Sequence, residues 1–314
     1  MNEAMRELCV VHLVRIHNGI DPFRRFLESY RANPGGIDHD LLITFKGFSD
    51  PGDLQEFAKL LTPFRHLTLE VPDDGFDITA YLASVLRYVD RYRYFCFLNS
   101  YSVILDRDWL EKLHRYIVQP GIGMVGATGS WQSHRGNIPT WLLPFAIVKN
   151  FFQTRREGGF LKRTGGALVS CLQDGSYLFD FHPFPNCHLR TNAIMISGEL
   201  MLRIKCPSMR SKRDAYRFES GKNGLTMQIV REGKRVLVVG KDGMAYEQNA
   251  WHESKTFWQS EQENLLVADN QTRDYAEGSF SRREYLRLTA WGMGKPQRDR
   301  KEREDSHDTR LKVF

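Results

Sequence analysis

RYFCFLNSYSVILDRDWL, residues 93–110, decides how the chain is read. Its first six residues form a short, aromatic-rich apolar run, which predicts a buried strand. Asn99-Ser100-Tyr101-Ser102 follows as a polar tip where that strand ends. Residues 106–118 then carry Trp109, Leu110, Leu113 and Ile117 at helical spacing. Upstream the same alternation recurs. Residues 8–14 (LCVVHLV) predict a first strand, broken at Asn18-Gly19. Asp21-Pro22 reads as an N-cap with proline at the first helical position, and Phe23, Phe26, Leu27 and Tyr30 continue a helix. Residues 40–45 (DLLITF) predict a second strand, 51–61 a helix and 66–71 (HLTLEV) a third strand. The turn Pro72-Asp73-Asp74-Gly75 leads into a helix over 78–89.

Strand–helix units in succession predict a parallel sheet with right-handed crossovers. Ligands of such sheets bind beyond the carboxyl ends of the strands. That rule collects Asn18, Asp73, Asp74 and Asn99–Ser102 on one rim; each by itself also suits an ordinary turn. Downstream, residues 122–127 (IGMVGA) form another apolar run, and 128–187 lose all periodicity, an irregular insertion. Residues 188–196 (HLRTNAIMI) read as a strand, which by its period of two puts His188, Arg190 and Asn192 on one face. A short helix capped by Ser197 follows over 197–204. The loop Phe218-Glu219-Ser220-Gly221 precedes a helix over 222–232, closed by a left-handed Gly233, and a strand over 235–240 (RVLVVG). Residues 1–294 thus form one α/β domain. Residues 295–314, with seven Lys/Arg and five Asp/Glu, are expected to be a disordered charged tail.

Composition narrows the function classes. The 314 residues are 41% apolar, enough to build a core and exclude general disorder. Lys+Arg 44 against Asp+Glu 38 leaves +6, which fits an anionic ligand and is too diffuse for nucleic acid. Cys9, Cys96, Cys171, Cys187 and Cys206 are odd in number and form no C-x-x-C pair, so neither a disulfide framework nor a zinc ribbon is expected. No apolar run reaches the ~18 residues of a membrane span, and the charged start lacks a signal-peptide core. The expectation is a soluble, cytoplasmic protein. Residues 141–152 (WLLPFAIVKNFF), followed by Arg155, Arg156, Lys162 and Arg163, suit either peripheral contact with an acidic membrane or burial inside the insertion. G-x-S-x-G and Walker A patterns are absent, which removes those hydrolase and NTPase classes.

The ordered elements, with FLNSYSVILDRDWL (97–110) and FESGKNGLTMQIVREGKRVLVVGKDGMAYEQNAWHES (218–254), resemble the GT-A glycosyltransferases, family 2 in particular, over residues 8–255. The resemblance implies a Rossmann-like, mixed but mainly parallel sheet flanked by helices. It implies transfer of a sugar from a nucleoside-diphosphate donor to a hydroxyl of a glycan or lipid-linked acceptor, with inversion, in surface glycan or polysaccharide assembly. Glu219 matches the family's general base at the opening of the second-half helix, with Asp214 as the rival carboxylate; a carboxylate within reach can take the proton of a poorly nucleophilic hydroxyl. Asp73 or Asp74 matches the acidic residue that holds the donor's base or ribose, and Asn18 the polar residue after the first strand.

One departure stands out. The family's metal-binding acidic triplet falls on Asn99-Ser100-Tyr101, where an amide and a phenol replace two carboxylates. Mg²⁺ and Mn²⁺ are hard cations that favour carboxylate and phosphate oxygens. Either the enzyme works without a metal, with Arg190, Lys212, Arg213 or Lys222 facing the diphosphate, or the chain binds a nucleotide-sugar without catalysis. His252 matches a late metal-binding histidine of some relatives but has lost its acidic partners. The Q-x-x-R-W motif of processive synthases is absent, which argues against that subclass. His188, Arg190 and Asn192 are candidates for the diphosphate or the acceptor, and Ser102 for the donor. His12 and His17 read as packed rather than ligating.

Overall fold

The computed structural model describes residues 5–135 and 179–292. Within them an eight-stranded sheet forms the centre. Its strands are β1 (Arg6–Arg15), β2 (Asp40–Lys46), β3 (Leu67–Val71), β4 (Tyr92–Leu98), β6 (Ile122–Gly126), β9 (Ile194–Ser197), β10 (Arg235–Val239) and β11 (Ala245–Tyr246). Their order across the sheet is β11-β10-β6-β9-β4-β1-β2-β3. β1, β2, β3 and β4 pair in parallel, as do β6 and β10, whereas β9 runs antiparallel to both neighbours and β11 is antiparallel to β10. Two small ribbons accompany it: β5 (Val103–Ile104) with β12 (Val267–Ala268), and β7 (Gly129–Ser130) with β8 (His188–Leu189).

The apolar runs of β1, β2 and β4 are buried on both faces, which requires helices above and below. Alternate residues of β1 divide between the two cores. Leu8, Val10 and Val14 meet Phe23 and Phe26 of α1 (Ile20–Ala32), Phe57 of α2 (Pro51–Lys59) and Trp109 and Leu113 of α4 (Trp109–Ile117). Cys9, Val11 and Leu13 face the second core. It takes Ile78, Tyr81 and Val85 from α3 (Asp77–Tyr88) and Leu200 from α5 (Gly198–Arg203). Phe218 of α6 (Lys212–Ser220) and Ile229 of α7 (Leu225–Arg231) complete that side. Tyr275 of α8 (Asn270–Ala276) and Leu286 of α9 (Phe280–Trp291) extend it. Full burial of each such side chain contributes ~1.5–3 kcal/mol.

Three local expectations are corrected. α1 starts at Ile20, with Gly19 (φ 72°) as its N-cap, because the left-handed glycine turns the chain straight out of the 3₁₀ turn Ile16–Asn18; Asp21 and Pro22 lie within the first turn. Residues 188–196 are not one strand. β8 pairs with β7, the chain breaks at Ala193 (φ 51°), and β9 enters the main sheet, so His188, Arg190 and Asn192 do not share a strand face. The helix expected over 222–232 begins at Leu225, after Gly224. Residue Glu219 therefore lies in the last turn of α6 rather than at a helix opening. Ser197 caps α5 as expected, through Leu200 N–H, and Gly233 takes φ 74°. Residues 141–152, the basic residues after them, Cys171 and the tail at 295–314 lie outside the described residues. Among the described residues no helix is long and apolar enough to cross a membrane.

Candidate active site

β2 ends on Lys46, a charged residue with 1% exposure closing a buried, mostly apolar strand. Its ammonium donates to the carbonyls of Asp74 (2.7 Å), Gly75 (3.3 Å) and Phe76 (2.6 Å) and to Thr79 Oγ1 (3.0 Å). Burial lowers its pKa, while Asp77 and Asp73 support the charge. The loop 72–76 after β3 is thereby folded over the end of β2. Gly47 (φ 77°) is needed beneath it, since a Cβ there would come within 2.7 Å of Asp73 Cβ. Asp73 itself receives a two-pronged contact from Arg15, at the end of β1, at 2.6 and 2.8 Å, with His17 at 3.3 Å. That guanidinium holds the Asp73 carboxyl below its usual range. Asp74 offers only its carbonyl to this network, and its side chain is exposed.

β4 delivers the triplet. Asn99 Oδ1 accepts from Tyr101 N–H at 2.9 Å and Ser102 Oγ at 3.3 Å, a side-chain turn closed on itself. Tyr101 donates its phenol to Asn18 Oδ1 at 3.1 Å, joining the tips of β1 and β4. Asn192 Oδ1 accepts from Ser102 Oγ (2.6 Å) and Asn99 N–H (3.2 Å), tying both to the turn before β9. Asn99 Nδ2 reaches Asp269 Oδ2 at 3.4 Å, and Asp269 Oδ1 caps α8 through the amides of Gln271 and Thr272.

Beyond that turn stands Glu219. Its Oε1 lies 3.4 Å from Arg190 Nε and accepts the Thr191 amide at 3.1 Å; Oε2 has no partner among the described residues. Burial opposes the charge, but Arg190 and then the dipoles around it prevail, so the carboxyl titrates below its ordinary value and is ionised at neutral pH. Arg190 is oriented by Gln271 Oε1 at 2.7 Å and lies over Phe257 at 5.4 Å. His188 shares its Nδ1 with the Asn186 carbonyl at 2.8 Å, its Nε2 is buried without a partner, and burial pushes its pKa down to about 4. His134 stacks on Tyr216 at 4.3 Å nearby.

The sequence-derived residues Asn18, Asn99, Tyr101, Ser102 and Asn192 are thus hydrogen-bonded into one rim, Asp73 lies on the same loop system, and Arg190 and Glu219 pair beside it. Asp214 serves α6 instead: its carboxylate closes a capping box with Ser211 and accepts from Arg217. Lys212 lies over Tyr216 at 5.6 Å, Arg213 binds Asp180 at 2.5 Å, and the Lys222 amide donates to the Asp180 carbonyl. His252 packs its ring 4.8 Å from Trp131 and belongs to no metal-binding cluster among the described residues. Arg15, Lys46, Asp77, Asp269 and Gln271 were not singled out by sequence. The one available signal was Lys46, a charge ending a mostly apolar strand.

A divalent ion held by the triplet does not fit these residues. Asn99 spends its oxygen on its own turn, Tyr101 presents a protonated phenol whose hydrogen goes to Asn18, and among the described residues no group of three His, Cys, Asp or Glu is arranged around a metal.

No protein-family model matches the chain, and no curated protein matches it. Among solved structures, the chain is similar to the mannosyltransferase PcManGT from Pyrobaculum calidifontis in complex with GDP-Man and Mn²⁺. The identity is 12% over 81% of this chain and 61% of that one, with a TM-score of 0.43. Core-mannan synthase A from Aspergillus fumigatus, in its Mn/GDP form, gives 10% identity over 74% of this chain and 66% of that one, TM-score 0.34. TarS from S. aureus gives 12% over 38% and 21%, TM-score 0.31. The chain spans about three fifths of the mannosyltransferase structure. Likeness at this level assigns no activity. The mainly parallel, helix-flanked sheet with its reversed β9 is of the mixed α/β kind that the GT-A resemblance implies.

Proposed function

We propose that the protein is a glycosyltransferase that moves a sugar from a nucleoside-diphosphate donor to an acceptor hydroxyl, with Glu219 as general base. The observation that supports this most is the ionised, nearly buried Glu219, with Oε2 unpartnered, beside a hydrogen-bonded rim at the carboxyl ends of β1 and β4. On this reading the acceptor hydroxyl gives its proton to Glu219 Oε2 while its oxygen bonds to the anomeric carbon. The bond from that carbon to the diphosphate oxygen breaks, and the nucleoside diphosphate leaves. Arg190 keeps the carboxylate ionised and aimed. The acceptor is a glycan or lipid-linked sugar, and the role is in surface polysaccharide assembly.

Purified protein incubated with a panel of UDP-, GDP- and dTDP-sugars tests the reading. At least one donor should bind in calorimetry, and Glu219→Gln should reduce transfer by about 10²–10⁴-fold with donor affinity little changed. Preserved turnover in that variant rejects the base assignment. A second reading, a nucleotide-sugar binder without catalysis, is favoured by the self-closed Asn99 turn. Donor binding with neither transfer nor donor hydrolysis would select it.

A further inference from the structure

Asp77, the first residue of α3, has no hydrogen-bond or ion-pair partner among the described residues, yet its backbone is held firmly. Lys46 pins the three carbonyls that precede it and the hydroxyl of Thr79 just after it. Gly75 takes φ 61°, and a Cβ there would meet Thr79 Cγ2 at 2.2 Å, so the approach to Asp77 admits only glycine. One turn along the same helix face, Tyr81 donates its hydroxyl to the Thr191 carbonyl at 3.4 Å. The amide of that same Thr191 binds Glu219. Asp77 therefore lies on the face of α3 turned toward the Glu219 segment, at the crevice end of the helix.

A half-buried carboxylate without donors is costly, and the fold around it is built rather than loose. Burial raises its pKa, Lys46 and Arg15 pull it back, and the charges of Glu219 and Asp269 push it up again. Such a group repels phosphate. It presents two adjacent acceptor oxygens and no donor, the complement of two neighbouring O–H groups. We propose that Asp77 is a ligand-binding residue that accepts hydrogen bonds from a vicinal pair of hydroxyls. The inference rests on the transferase reading, in which the donor's ribose and its transferred sugar both carry such pairs.

Calorimetry on the full chain decides it, with UDP, GDP, their 2′-deoxy counterparts, UDP-glucose and GDP-mannose as probes, and with Asp77→Asn beside the unaltered protein. The variant should lose about tenfold or more in affinity while its Tm stays equal or rises, because an unpaired buried charge has been removed. A loss seen with UDP or GDP and absent with the 2′-deoxy forms assigns the hydroxyls to the ribose. A loss confined to the nucleotide-sugars assigns them to the sugar. Affinities within twofold of the unaltered protein for every probe, or a Tm lowered by several degrees, would overturn the inference. Should the unaltered protein bind none of the six, the inference falls for uridine and guanosine donors; should it bind none of the full UDP-, GDP- and dTDP-sugar panel either, the transferase reading itself fails, and the inference with it.

Discussion

Arg190→Met is the perturbation that most directly probes the pair at the centre of the site. Arg190 and Glu219 side chains are each 11% exposed, with Nε and Oε1 3.4 Å apart. At an effective dielectric of ~20 their attraction is about 5 kcal/mol, and most of it offsets desolvation of the two charges. Removing one partner exposes that debt, so breaking a buried pair costs ~3–5 kcal/mol. Methionine retains contact with the Phe257 ring, which limits the packing loss. We expect a loss of about 3 kcal/mol at pH 7.5, at the lower end because Glu219 escapes part of the penalty by taking up a proton.

The pH dependence carries the diagnosis. In the unaltered protein the Glu219 pKa is lowered by Arg190 against burial, so its contribution to stability is present above the ordinary carboxyl pKa and fades as pH falls through the folded value. In Arg190→Met the strongest opposition to burial is lost, only weaker help such as the Thr191 amide remains, and the folded pKa is expected to rise above the unfolded one. The ionised group then destabilises at neutral pH and is relieved on acidification. The two urea-unfolding free energies should therefore converge between pH 7.5 and pH 5, by ~1.4 kcal/mol for each unit of difference in pKa. The double variant with Glu219→Gln should recover about 1.5 kcal/mol or more of the loss. A difference under about 1 kcal/mol at pH 7.5, or one that does not shrink toward pH 5, refutes the ion pair as the holder of the carboxylate.

Two further outcomes follow from buried polar groups. His12 is fully buried between Phe23 and Phe26, with neither nitrogen partnered, and burial lowers its pKa to about 3. Below pH ~6.5 the unfolded chain takes a proton that the folded one refuses, so stability should fall by up to ~1.4 kcal/mol per pH unit; His12→Leu should flatten that slope in urea titrations, and an unchanged slope counts against it. Asn99→Asp replaces the donor that reaches Asp269 with a second carboxylate, which should cost ~1–3 kcal/mol in EDTA and make Tm rise on adding Mn²⁺. Equal Mn²⁺ responses of variant and unaltered protein would rule this out.

Legibility differed sharply between elements. β1, β2 and β4 were readable because strands buried on both faces are written as continuous apolar runs. The break after Leu189 was not, since a positive φ at Ala193 is set by tertiary pairing of β9 between β4 and β6, and nothing at that position announces it. Glu219 was identified as a residue but placed in the wrong local setting: Ser220-Gly221 look like loop, while α6 continues through Ser220 because Phe218 packs into the core. Asp77 and Asp269 were invisible, since an acidic residue opening or capping a helix is commonplace and only the surrounding geometry distinguishes them.

The altered triplet also has an electrostatic logic. Two carboxylates with a divalent ion sum to zero charge, and so do an asparagine and a tyrosine without one. On the metal-independent reading proposed for the resemblance, loss of both acids together with the ion would leave that charge unchanged; loss of one would not. Of the cations around this end of the sheet, Arg15 is paired with Asp73 and Arg190 with Glu219, whereas Lys46 is held differently. Its contacts are all to neutral oxygens, so no carboxylate cancels its charge directly, and its field extends to Asp73 and Asp77. A diphosphate approaching the loop 72–76 meets that field without needing to bring a metal. On the metal-independent reading, Asn99→Asp, which sets a second carboxylate beside Asp269, is therefore expected to create a demand for Mn²⁺.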